Sequence, residues 1–376
     1  MKKLLSLMLV ICLLFAGFVS LISSGGSTTS FTDESGTVDY GRIYAMHKGD
    51  EIIGELNGRD VTWDEFFYGY YTYAKDTEQY MQQIRDYYGV EIGWNDVLDE
   101  STGETMASGL SSYAERLLAQ YATIEEYAEE HGIDVGEDGE EEIKNMLESN
   151  ILSLCGEGAG DEQFNEKLAE LYMPRNLYDR MMRDSVLNEK TAESDTGLTN
   201  EEVVRMMEEE GYMHAGHILR LTYDSTTGES VSQDEARARF AEAQEISEKL
   251  KGIENDAERY AEFCRLAETN NEDSQSEYTF LPGTMVSEFE TGVQSLKDYE
   301  VSEPIETSYG YHVIIHLPID PEAALAEYYI NGQTVTGKEA CNQTIINEEL
   351  NEIYAGIKLE YKEGFVVPDI AKFIKE

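Results

Sequence analysis

The sequence predicts an α+β fold. A lobe of long helices over about 49–198 is followed by a smaller module at 199–318, a small antiparallel sheet surrounded by helices. A C-terminal segment, 319–376, then turns helical again. Three observations carry this reading. Capping boxes open amphipathic runs at Thr62/Glu65, Thr199/Glu202 and Ser232/Glu235. Two histidines are framed by strand-like apolar runs, His217–Ile218–Leu219 and Tyr311–His312–Val313–Ile314–Ile315. The polar stretch 188–199 separates the two kinds of pattern.

The elements follow in order. Residues 23–48 are rich in Ser, Thr, Gly and Asp and read as a tether over 26–48. Ile52–Leu56 followed by Asn57–Gly58 reads as a short strand and turn. Thr62 and Glu65 open an aromatic-rich helix to about Tyr87. Its Phe66, Phe67, Tyr70, Tyr71 and Tyr73 are either a broad packed face or an apolar cradle for unfolded segments. Apolar residues from Met106 to Ala128 recur at helical spacing, and Gly132 stops that helix. Residues 125–142 hold ten acids and no Lys or Arg, the composition of a solvated helix end and loop. Further helices are expected at 140–154 and at 161–187, the latter interrupted by Pro174. After Leu317 the pattern is helical, above all from Lys338 to Ile357.

The 28 Lys and Arg against 76 Asp and Glu give a formal charge of −48. Such a surface repels phosphate backbones, so no nucleic-acid partner is expected. It either serves solubility or attracts basic, unfolded clients. Lys2 and Lys3, the apolar run Leu4–Ile22 and the small residues Ser23 to Gly26 have the form of an export signal. The run, read as 1–25, is either cleaved or retained as a single membrane anchor. No Cys follows it to take a lipid, since Ser24 and Gly25 stand there. Beyond it Cys155, Cys264 and Cys341 are scattered and odd in number, which argues against both a disulfide framework and a zinc site. Cys264 falls inside an apolar helical pattern and is expected in the core.

Four of the six histidines lie between 214 and 316. A lone His on an apolar run is a satisfied core residue. Two histidines on similar strands can place both imidazoles on one face of a sheet if the strands are neighbours, because side chains alternate along a strand.

His214–Ala215–Gly216–His217–Ile218–Leu219 resembles the opening strand of parvulin-type prolyl isomerases. Gly283–Thr284–Met285–Val286–Ser287–Glu288–Phe289–Glu290 resembles their central helix entry. Val301 to Thr307, then Tyr309–Gly310–Tyr311–His312–Val313–Ile314, resembles their closing hairpin. The resemblance implies that His217 and His312 face each other beneath the substrate imide, with Asp273 as the polar third member. It implies an apolar cup for the prolyl ring walled by Met285 and Phe289, with Phe280 at its edge and Tyr309 near the second histidine. No metal or cofactor is implied.

The family's Gly-Gly-Asp-Leu-Gly-like turn is replaced by Ser274–Gln275–Ser276–Glu277–Tyr278, with Glu277 in place of an apolar wall residue. The departure predicts weakened catalysis. The wider chain, including Glu55 to Phe66, resembles PrsA/SurA-like foldases, in which N- and C-terminal segments form a chaperone lobe around an inserted parvulin module. The resemblance implies a foldase acting on proline-containing or unfolded exported polypeptides. A non-catalytic holdase with a degenerate module is the alternative.

Overall fold

The structure is a computed structural model that describes residues 38–330 and 333–375. The export signal read at 1–25 lies outside those residues. Among the described residues no helix is long and apolar enough to cross a membrane. The chain runs α1 (Tyr40–Tyr44), β1 (Ile52–Leu56), β2 (Arg59–Thr62), α2 (Trp63–Tyr88), β3 (Val97–Asp99), β4 (Glu104–Thr105), α3 (Met106–His131), α4 (Gly136–Cys155), α5 (Asp161–Glu170) and α6 (Arg175–Ala192). It continues through α7 (Asn200–Glu210), β5 (Met213–Leu221), α8 (Gln233–Lys251), α9 (Asp256–Asn270), β6 (Glu277–Phe280), α10 (Ser287–Gln294), β7 (Ile305–Glu306) and β8 (Gly310–Leu317). Last come β9 (Ala324–Ile330), β10 (Gln333–Thr336), α11 (Gly337–Gly356), β11 (Leu359–Tyr361) and a 3₁₀ turn (Ile370–Phe373). The α+β class is as expected.

Two compact units result among the described residues: those up to Ser194 together with those from Ile346 onward, and those of Asp195–Ile345 between them. The first is helical with one small sheet, ordered β11-β1-β2. Asn57 and Gly58 both take positive φ, 49° and 82°, the backbone of a two-residue hairpin that twists with its strands. Thr62 and Glu65 satisfy each other's backbone N–H groups as a capping box and launch α2. Pro174 interrupts the 161–187 run as expected, standing at the N-cap of α6.

The aromatic residues of α2 are core. Trp63, Phe66, Phe67 and Tyr70 are fully buried, Trp63 Nε1 donates to the Tyr44 carbonyl at 2.9 Å, and the Tyr70 hydroxyl donates to the Pro368 carbonyl at 2.9 Å. Phe365 closes on Trp63 edge to face at 6.1 Å. Arg180 of α6 joins three helices, donating to both carboxylate oxygens of Glu125 and to Glu65, each at 2.7 Å.

The structure corrects two boundaries. The tether expected over 26–48 gives way to order at Val38, which pairs with Ile374. Asp39 caps α1, and Ile43 is fully buried. A polar composition hid the three aromatic and aliphatic side chains, Tyr40, Ile43 and Tyr44, that lie on one turn. The segment after 318 does not pack as a whole on the helical unit. Its β9 and β10 extend the sheet of the second unit, through a parallel Thr279↔Leu325 pair with β6. Only the part from Ile346 belongs to the helical unit.

In the second unit the six strands are ordered β10-β9-β6-β5-β8-β7. The central pair β5 and β8 is antiparallel over eight residue pairs, from His214↔Leu317 to Leu221↔Gly310. One face, with Ile218, Val313 and Ile315, packs on Ile246 and Leu250 of α8 and Phe263 of α9. Gly216 permits this packing, since a Cβ there would lie 2.5 Å from the Phe263 ring. The opposite face carries Met213, Ala215 and Ile314 against Phe280 and Phe289. Cys264, expected in the core, packs partly buried on the first face.

Candidate active site

Register places the two imidazoles. His312 pairs with Leu219 and His217 with Ile314. His217 and Leu219 share a face because they are two apart, so both histidines fall on the Phe289 face of the sheet. They are 2% and 4% exposed. Their Nδ1 atoms lie 3.0 Å apart and their rings are nearly parallel.

The partners fix the protons. His217 Nε2 faces two acceptors, Asp273 Oδ2 at 3.3 Å and the Gln275 carbonyl at 3.2 Å, so it carries hydrogen. With both rings neutral, His217 Nδ1 accepts from His312 Nδ1–H. His312 Nε2 then accepts from the Thr307 hydroxyl at 2.8 Å. The result is one directional chain: Thr307, His312, His217, Asp273. Burial, then the neighbouring His217, hold the His312 imidazole down at about 3. The His217 hydrogen bond is the main cause that holds the Asp273 carboxyl at about 2, and Ser274 N–H adds to it at 2.7 Å.

The sign of the resulting pH dependence follows from linkage. Unfolded His312 titrates near 6.5 and folded His312 near 3, so the unfolded state binds more protons between those values. Stability is complete above 6.5 and falls as pH drops through that window. Asp273 acts in the same direction lower down, between 3.8 and about 2. His312 alone is expected to make unfolding of Asp195–Ile345 easier by about 2 kcal/mol between about pH 7 and 5, a contribution separate from that of Asp184 in the helical unit, whose carboxyl burial raises to about 7 and which acts in the opposite direction. His312→Gln removes most of that slope. Denaturant melts of the two proteins across this range check it, and equal slopes would contradict the assignment.

The pair opens into a cavity of about 940 Å³. Phe289 forms its wall, with its ring edge to face 5.5 Å from each imidazole. Met285 adds the second wall. Glu290 Oε1 accepts from both Gly283 N–H at 2.8 Å and Met285 N–H at 2.9 Å, which fixes the turn that presents Met285. Tyr309 stands at the mouth, 48% exposed. Phe280 is fully buried and stands 5.9 Å behind Phe289, supporting the wall and not lining the cavity. Met285→Ala strips one wall and leaves the histidines in place. It is expected to raise KM for a prolyl peptide about tenfold with kcat little changed. An unchanged KM with a lower kcat would remove Met285 from the binding wall.

Glu277 lies opposite Gly216 in the ladder, on the face that packs α9, and its carboxylate accepts from the Tyr260 hydroxyl at 2.8 Å. Glu277 thus borders the cavity with its side chain turned away from the imidazoles; the wall beside them is its neighbour Tyr278, with its ring 5.5 Å from that of His217. Sequence reasoning missed Tyr278 and Thr307 as site residues. Strand parity relative to His217 and the short hairpin spacing from Thr307 to His312 are the signals that locate them.

The comparisons with known proteins bear on the same segment. Residues 217–316 match the model of the Rotamase family, described as a PPIC-type PPIASE domain. Foldase protein PrsA 4 of Bacillus cereus is 27% identical over 198 residues, 44% of this chain and 69% of that protein. Foldase protein PrsA of Oceanobacillus iheyensis is 22% identical over 324 residues, 84% of this chain and 86% of that one. Chaperone SurA of Burkholderia lata is 28% identical over 161 residues, which span 41% of this chain and 32% of that protein. Residues 217–316 thus belong to the PPIC-type PPIASE domain family, and the chain that carries them is PrsA-like.

Proposed function

We propose that this chain is an extracytoplasmic foldase whose PPIC-type domain speeds cis/trans isomerisation of X-Pro bonds in exported polypeptides. The observation that carries the reading is the buried, hydrogen-bonded His217–His312 pair facing the Met285–Phe289 cup. Rotation about a prolyl bond crosses about 18–20 kcal/mol because it breaks amide resonance. It makes and breaks no covalent bond, so it needs no nucleophile or cofactor. A dry apolar grip on the ring and a fixed set of dipoles beneath the imide favour the twisted amide over the planar one. Export rests on the Lys2–Lys3 and Leu4–Ile22 pattern, which also supplies a membrane attachment if it is retained.

The relatives' names, foldase and chaperone, support a second task for the helical unit, holding unfolded segments. The buried aromatics of α2 are not available for it. Exposed apolar side chains near the end of that helix are: Tyr87 at 87%, with Tyr88, Val90 and Val97.

The test is the isomerisation rate of a proline-containing tetrapeptide with the full chain. Acceleration over the spontaneous rate that His217→Ala removes is the expected result. A wild-type rate equal to the uncatalysed one overturns the isomerase reading. Suppression of client aggregation in that same sample would leave the holdase in its place.

A further inference from the structure

The turn at 274–278 lacks the glycines of the parvulin pattern, yet Asp273 remains 3.3 Å from His217. We propose that Tyr278 is a positioning residue that holds Asp273 in line with His217 and so replaces, within this chain, what the glycine-rich turn would provide. The proposal rests on the isomerase reading of the same site.

Four observations carry it. The Tyr278 hydroxyl donates to Asp273 Oδ2 at 3.2 Å, the same oxygen that faces His217 Nε2. The backbone of Tyr278 is fixed in the ladder opposite Ala215, which puts its side chain on the imidazole face. Its ring packs against the Met213, Phe280 and Phe289 cluster, so the hydroxyl is delivered by an anchored arm. Asp273, by contrast, sits on the loop after α9 with its side chain 30% exposed. A carboxylate so placed is free to turn toward water unless a donor holds it. Ser274 N–H binds the other oxygen, Oδ1. The groups that face the Asp273 carboxylate are therefore His217, Tyr278 and Ser274, with His312 one ring further away. Burial and the Asp273 charge push the phenol up to about 12, so it stays a donor throughout the working range.

This reverses the expectation drawn from the sequence. The turn is not simply degraded. A glycine at 278 would remove both the hydroxyl that holds Asp273 and the ring beside His217.

The test uses the full chain and the Tyr278→Phe variant, which keeps the ring and loses the hydroxyl. Two readouts are needed: isomerisation of a prolyl tetrapeptide, and the Asp273 carboxyl titration followed by carbon-13 NMR. The expected result is a roughly fivefold loss of kcat/KM carried by kcat, with KM unchanged because the Met285–Phe289 cup is intact. The Asp273 midpoint moves upward, because a donor to the ionised form has been lost. The five-residue variant S274G/Q275G/S276D/E277L/Y278G is expected to be slower than wild type. A Phe variant within twofold of wild type overturns the proposal, whatever the midpoint does. So does a five-residue variant faster than wild type. Wild type at the uncatalysed rate would overturn the isomerase reading instead. The titration then decides the Tyr278–Asp273 bond alone: a raised midpoint in the Phe variant upholds it, and an unchanged one refutes it.

Discussion

Alanine at either His217 or His312 is expected to cut the acceleration of prolyl-peptide isomerisation about 100-fold, and alanine at both to cost little more. The reason is the single hydrogen-bonded chain from Thr307 to Asp273. His217 Nδ1 has His312 as its partner, so removal of either ring leaves the other with an unpaired buried nitrogen and breaks the chain between Thr307 and Asp273. Residues that work as one unit give strongly non-additive losses. Rates for the two single variants and the double variant, at matched folded fraction, check this. Losses that multiply would show two independent contributions, and the network would then have no collective role.

The largest stability effect is expected from Trp63→Ala. The indole is fully buried, donates to the Tyr44 carbonyl and packs on Phe67 at 5.1 Å and on Phe365. It thereby ties α1 and α2 to the segment after β11. Truncation leaves a large void and takes the shorter of two donors from that carbonyl, which keeps only His47 N–H at 3.4 Å, at about 3–5 kcal/mol. Urea unfolding followed by far-ultraviolet circular dichroism should show the helical unit melting earlier. Isomerisation in the absence of denaturant should remain, since the site residues all lie within Asp195–Ile345. A loss below about 1 kcal/mol would show that the cluster yields to repacking and is not the core of that unit.

The features legible in the sequence were those whose causes are local. Capping boxes, the Asn57–Gly58 turn and Pro174 act within a few residues, and the structure places each where the pattern put it. The strands bearing His217 and His312 were legible because apolar runs flanked both. What escaped depends on distant partners. Ala324–Ile330 contains Ala, Leu and Glu, good helix formers, and is a strand because it lies beside β6 and β10. The hairpin β3–β4 spans three residues and two, too few to show a strand alternation, and all three of β3 are exposed. Tyr278 read as a mere departure from a glycine turn. Its meaning depends on which side of β6 it falls, and a one-residue shift would have exchanged it with Glu277. Phe280 was assigned to the cup from motif order, which cannot separate a wall from the residue that supports it.

The helical unit is built from both ends of the chain, and this bears on how the protein is made. In its small sheet β1 lies between β2 and β11, with Leu56 opposite Leu359. A chain made from its N-terminus completes β1 and β2 early and then waits for residue 361 before the other side of β1 is covered. Asp195–Ile345 draws its strands from one continuous stretch and is whole before that moment. Domains fold as units in order of synthesis, and an uncovered strand edge invites pairing with other chains. The order of completion is thus inverted. The middle of this protein matures first, and for most of its synthesis its beginning is itself an unfinished polypeptide with an open edge.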